Sequence, residues 1–207
     1  MDRCPVVEIS IQEKLRKTCP VIVLASQSPN RRKVLESAGI RVITRPQDIW
    51  EICGETEPEK VVTALSSQKM ESYLRSPEFD PSLPAVAVDT LVALDGKLMG
   101  KPKDDEDAKA MIRSFSGRWH EVYSGMSVYV PQSKKTVVVC DVTRVLFHSL
   151  TESDVDWYIS TGDPEGAAGA YKIQENGYKL IDEIDGSFSN IIGIPLERLI
   201  EVLSEDN

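Results

Sequence analysis

Four apolar residues, Val21–Leu24, run directly into Ala25, Ser26, Gln27, Ser28, Pro29 and Asn30, and then into Arg31 and Arg32. A short apolar run bounded by small polar residues reads as a buried strand. Ser28 is a good N-cap, and Pro29 suits the first helical position, where an N–H would go unused. The helix that follows is stopped by Gly39, and the alternating Arg41–Thr44 reads as a second strand. Residues 21–44 therefore form a β-α-β unit, which points to an α/β fold. The turn also has a chemical consequence. Unpaired backbone N–H groups and the positive end of the helix face one space, where an anion is stabilised. Arg31 and Arg32 add charge and forked donors that match phosphate oxygens.

The rest of the chain fits that class. Pro58 opens a helix over 58–74, with Lys69 near its end, and residues 76–84 form a proline-containing linker. Ala85–Leu94 is the most apolar strand, and Asp95-Gly96 turns it into the short Lys97–Met99. A helix is predicted over 104–114, two long strands over 120–129 and 136–147, and a helix over 151–162. A glycine-rich loop over 163–177 precedes a strand over 178–184, and Pro195 starts a last helix to residue 203. This mixed order implies an α/β fold with a partly antiparallel sheet. Residues 1–20 read as an N-terminal extension and 21–207 as a single domain.

Composition restricts the partners. With a net charge of -9, general affinity for nucleic acid or anionic membrane is not expected. No apolar run approaches the ~20 residues of a membrane span. Cys4, Cys19, Cys53 and Cys140 are scattered, and residues 1–20 lack a secretory apolar segment, so reduced thiols and a cytoplasmic location are expected.

Asp89 is the most informative single residue, because it interrupts a strand that otherwise holds apolar neighbours. It reads equally as a functional carboxylate or as a structural one satisfied by backbone donors. Thr90 faces the opposite side of a regular strand, so both can touch one ligand only if the strand ends or bulges there. Lys101, between Gly100 and Pro102, and Lys69 could each neutralise a phosphate or simply be solvated. Glu51, in the loop over 45–57, could support Mg²⁺ together with Asp89. The acidic run Asp104, Asp105, Glu106 and Asp107 complements the dipole of the helix it opens. His120 and His148 lack the spacing of a zinc pair, and nucleotide loops of the G-x-G-x-x-G and G-x-x-x-x-G-K types are missing.

Six stretches carry a resemblance. They are Leu-Ala-Ser-x-Ser-Pro-x-Arg-Arg at 24–32, Val-Asp-Thr-Leu-Val at 88–92 and Gly-Lys-Pro at 100–102. The others are Phe-Ser-Gly-Arg-x-His-Glu-Val-Tyr-Ser-Gly at 115–125, Ala-Gly-Ala-Tyr-x-Ile-Gln at 168–174 and Gly-Ser-Phe-Ser-Asn-Ile-Ile-Gly-Ile-Pro-Leu at 186–196. In this order they strongly resemble the Maf family. The resemblance implies an elongated mixed-sheet α/β fold similar to the inosine triphosphatase superfamily. It implies a nucleoside triphosphate pyrophosphatase dependent on Mg²⁺ or Mn²⁺, often a homodimer.

Carried over by motif, Asp89 is the general base, and Ser26, Ser28, Arg31, Lys69 and Lys101 are phosphate-binding. Glu51 and Asp89 are the metal positions, and Asn30, Thr90 and Gln174 the specificity positions. Thr90 and Gln174 match members that prefer dTTP and UTP. Asn30 stands where those members carry Arg and members acting on 7-methyl-GTP carry Trp, and Lys172 replaces a glycine. A dTTP/UTP-like preference is expected. The rival expectation is a non-catalytic nucleotide sensor of the same fold that regulates septum formation.

Overall fold

A computed structural model describes residues 9–50 and 52–205. Among these, seven strands form one mixed sheet in the order β2-β1-β3-β5-β6-β7, with β4 paired to β3 outside that path. The chain runs α1 (Ile9–Thr18), β1 (Val21–Leu24), α2 (Pro29–Ser37), β2 (Arg41–Thr44) and α3 (Pro58–Arg75). It continues through β3 (Ala85–Leu94), β4 (Lys97–Met99), α4 (Asp105–Phe115), β5 (Trp119–Val130) and β6 (Lys135–Phe147). It closes with α5 (Glu152–Ser160), β7 (Ile181–Asp185), α6 (Phe188–Ile192) and α7 (Leu196–Glu205). β1 pairs in parallel with both β2 and β3, as a crossover through α2 requires, while β3, β5, β6 and β7 are antiparallel.

The period-2 alternation of β3 divides the core. Val86 and Val88 join Ile22, Leu24, Met126 and Val128 on the face covered by α2 and α7. Ala85 and Ala87 face the other way, with Met70 and Tyr73 of α3. Further along, Val92 and Leu94 meet Phe115 of α4 and Tyr158 of α5 in a third cluster. Alanines on the α3 side allow a close helix, and Gly125 of β5 allows a closer one. A Cβ there would stand 2.2 Å from the Val62 carbonyl carbon and oxygen. This close crossing places Lys69 beside the middle of β3.

Two local features differ from the sequence-based expectations. Residues Asn176–Leu180 form a 3₁₀ turn, so β7 starts only at Ile181. Strand and 3₁₀ turn share the same apolar residues there, and Gly177 lies tightly against the Lys172 backbone, which favours the turn. The short helix α6 is capped by Ser187 Oγ and ended by Gly193 at φ 108°; five residues are too few to show a helical period. In α1, Leu15 is fully buried in the same cluster as Leu199 and Leu203 of α7. No helix among the described residues is long and apolar enough to cross a membrane.

Candidate active site

The site lies where the sheet is split. β5 occupies one edge of β3 from Ala85 to Ala93. On the other edge β1 ends at the Leu24–Val86 pair, and β4 pairs with β3 only from Val92, opposite Met99, onward. Residues 87–91 therefore have an open edge between two strand ends. A cleft of about 790 Å³ occupies this gap. Asp89 and Thr90 remain in regular register with Gly125 and Ser124, so β3 neither ends nor bulges. They leave from opposite faces, yet both border the cleft, because the strand that would separate them has stopped. Ligands commonly bind beside such gaps at strand ends.

On the α3 face, Lys69 Nζ donates to Asp89 Oδ1 at 2.5 Å, and the side chains are 14% and 12% exposed. The β1–α2 turn forms the adjoining wall. Ser28 caps α2 by accepting from the Arg31 N–H at 3.4 Å, and the Ser28 N–H donates to Ser26 Oγ at 3.2 Å. Arg31 is held from three sides. Its Nε donates to the Gly193 carbonyl at 2.8 Å, Nη1 to Ser26 Oγ at 3.0 Å and Nη2 to Thr90 Oγ1 at 3.0 Å. One guanidinium thus ties β1, β3 and the α6–α7 turn together, and it works as a clamp as much as an anion donor. The acidic run opening α4 is local: Asp104 caps Asp107, which accepts from the Lys103 N–H.

Asn30, Lys101 and Gln174 line the same cleft as Ser26, Ser28, Arg31, Lys69, Asp89 and Thr90. Glu51 lies outside the described residues. Sequence reasoning gave no role to Ser124 and Asn190, which carry the second layer behind Thr90. Thr90 Oγ1 is 3.0 Å from Ser124 Oγ, which donates to the Asn190 carbonyl at 3.3 Å. Asn190 Nδ2 donates to the Val122 carbonyl and Thr143 Oγ1, both at 3.0 Å. The available signal was Ser124 itself, a small polar residue on the core face between Val122 and Met126.

The wall charges balance among the described residues: Arg31, Lys69, Lys101 and Lys172 against Asp48, Asp89, Glu165 and Glu175. A polyanion entering this cleft therefore meets no net positive charge from these eight side chains. No group of three His, Cys, Asp or Glu side chains converges among the described residues. A protein cage for a metal is therefore missing there, but one carboxylate on the wall suits a Mg²⁺-like ion, which takes one or two carboxylates, substrate phosphates and water.

The Maf-like protein family matches residues 21–206. The chain is 40% identical to the dTTP/UTP pyrophosphatase of Methylobacillus flagellatus over 184 residues, 88% of this chain and 90% of that protein. It is 38% identical to the dTTP/UTP pyrophosphatase of Pelotomaculum thermopropionicum over 186 residues, 89% and 95% of the two chains. A third dTTP/UTP pyrophosphatase, from Agathobacter rectalis, is 37% identical and covers 88% of this chain and 95% of its own. On the family match and these identities, the chain belongs to the Maf-like protein family.

Proposed function

We propose that this chain is a nucleoside triphosphate pyrophosphatase that splits the α–β anhydride of dTTP or UTP into a monophosphate and pyrophosphate. The observation that carries the reading is the Lys69–Asp89 pair on the wall of a cleft with three further cations, Arg31, Lys101 and Lys172. Asp89 takes the proton from a water attacking the α-phosphorus, and Lys69, donating to Oδ1, holds the carboxylate in place. Lys69 and Lys101 offset charge that grows on the departing pyrophosphate. Ser26 and the capped turn of Ser28 receive phosphate oxygens, with Arg31 fixing the turn.

Mg²⁺ or Mn²⁺, when bound, offsets phosphate charge and lowers the pKa of coordinated water. Asp89 would hold it, with Glu51 as the second carboxylate. The balanced wall charge supports the requirement. Asn30, Thr90 and Gln174 face the nucleoside end. The catalytic unit is residues 21–207 with 1–20 as an extension, acting in the cytoplasm as a homodimer. The free thiols Cys19, Cys53 and Cys140 are compatible with a reducing compartment.

The test is pyrophosphate release from a nucleotide panel with Mg²⁺, comparing the unaltered protein with Asp89→Asn. The expected loss is at least about 100-fold, the usual contribution of a positioned base. Equal rates for the two proteins would remove Asp89 from the role, and no pyrophosphate from any nucleotide would remove the activity.

A further inference from the structure

The hydrogen bonds behind Thr90 have a direction. A hydroxyl has one proton to donate and two lone pairs to accept with, whereas a guanidinium only donates. Arg31 gives one N–H to Ser26 Oγ and another to Thr90 Oγ1, both at 3.0 Å. Ser26 Oγ also accepts from the Ser28 N–H at 3.2 Å. Both its lone pairs are then filled, and its proton is all it can offer the cleft. An anionic oxygen suits it.

Thr90 has the opposite polarity. Ser124 sits directly across the β3–β5 ladder from it and donates its own proton to the Asn190 carbonyl at 3.3 Å. With the Ser124 proton on that carbonyl, the 3.0 Å contact between Thr90 and Ser124 has Thr90 as its donor. The only other outlet for its proton among the described residues is the Gly193 carbonyl at 3.5 Å, which also lies inward. Arg31 fills one lone pair, so one lone pair is left for the cleft. Asn190 is fully buried and anchored through Nδ2, and its carbonyl also accepts from the Gly193 N–H at 2.9 Å. The acceptor at the end of the chain is thus held in place.

We infer that Ser124 and Asn190 are positioning residues that make Thr90 a pure hydrogen-bond acceptor, so that the cleft receives a donor group of the nucleoside at Thr90 while Ser26 receives a phosphate oxygen. This rests on the nucleotide reading above. The donor is an imide N–H of the base or a hydroxyl of the ribose; phosphate oxygens, being acceptors, are refused at Thr90. One guanidinium, shared by two hydroxyls of opposite polarity, sets which end of the ligand lies where.

The experiment is calorimetric binding, with Mg²⁺, of α,β-imido-UTP and of its N3-methyl, 2′-deoxy and 3′-deoxy forms. The proteins are the unaltered chain, Thr90→Val and Ser124→Ala. One of the three modified ligands should bind the unaltered protein about tenfold more weakly than the parent, the loss of one ligand hydrogen bond. That penalty should vanish in Thr90→Val and shrink in Ser124→Ala, where the Thr90 proton is no longer drawn inward. The N3-methyl arm identifies the imide as donor, and the deoxy arms identify the sugar.

The inference is overturned if no modification weakens binding to the unaltered protein, or if Thr90→Val keeps the same penalties. It is overturned too if Ser124→Ala folds and keeps the full penalty. Failure of the pyrophosphatase reading looks different: the binding pattern persists, but UTP itself yields no pyrophosphate. If none of the four ligands binds, both readings fall.

Discussion

Lys69 and Asp89 are 20 residues apart in sequence, yet Nζ and Oδ1 meet at 2.5 Å with both side chains largely out of solvent. The pair exists because α3 crosses β3 and β5 unusually closely. Removing one partner of a buried ion pair is far more costly than removing both. Lys69→Met is therefore expected to lower unfolding stability by about 3 kcal/mol. Asp89→Asn added to Lys69→Met should return most of it, although neither variant should hydrolyse nucleotide well. Urea unfolding of the unaltered protein and the two variants checks this, and a double variant no more stable than Lys69→Met would refute it.

Gly125 makes that crossing possible, and it gives a second expectation. An added methyl would meet the Val62 carbonyl and lie 2.5 Å from the Thr63 N–H nitrogen, backbone atoms of a long helix that cannot yield separately. Gly125→Ala should cost about 3 kcal/mol or slightly more, at the upper end for overpacking. It should also depress turnover beyond its effect on the folded fraction, because α3 carries Lys69. Thermal unfolding and kcat measured at a temperature where the variant is fully folded separate the two effects. Unchanged kcat would show that Lys69 tolerates a displaced helix.

Much of this arrangement was legible in the chain, for identifiable reasons. The strand–cap–helix signal from Val21 to Gly39 is local, and β1 and α2 follow it closely. The alternation of Ala85–Leu94 placed Asp89 and Thr90 on opposite faces. What alternation could not convey was that β1 stops at Leu24 and that β4 pairs with β3 no further back than Met99 opposite Val92, which opens the β3 edge to one cleft. Partner-strand length is a tertiary property. The grip on Arg31 was illegible for the same kind of reason, since Gly193 lies 162 residues away. Residues 178–180 were misassigned because a short apolar stretch suits a strand and a 3₁₀ turn equally.

The N-terminal helix supplies a third expectation. Leu15 is fully buried among residues of α2 and α7, so α1 shares the core of the domain that it precedes. Leu15→Ala should destabilise the protein by about 3 kcal/mol, the middle of the range for a buried leucine. Pyrophosphate release by the folded fraction should be unaffected, because α1 contributes no residue to the cleft wall. Chemical denaturation measures the first outcome. A loss below about 1 kcal/mol would indicate a site that collapses around the missing methyls.

His120 gives the pH dependence. It is fully buried, with its ring centroid 4.2 Å from Phe115 and 5.0 Å from Phe147, and its Nε2 lies 3.0 Å from the Tyr171 hydroxyl. Burial pushes its imidazole from 6.5 down to about 3, since the charged form loses its hydration. The folded pKa lies below the unfolded one, so between these values the unfolded chain binds a proton that the folded chain does not. Stability is therefore complete above pH 6.5 and falls on acidification toward about pH 3. From this group alone the slope approaches about 1.4 kcal/mol per pH unit in the middle of that window. His120→Phe removes the titrating ring, and despite the lost Tyr171 contact its unfolding free energy should decline less steeply from pH 6 to pH 4. Urea unfolding of both proteins across that interval decides it: parallel slopes would mean that His120 is not the group that takes up the proton on unfolding.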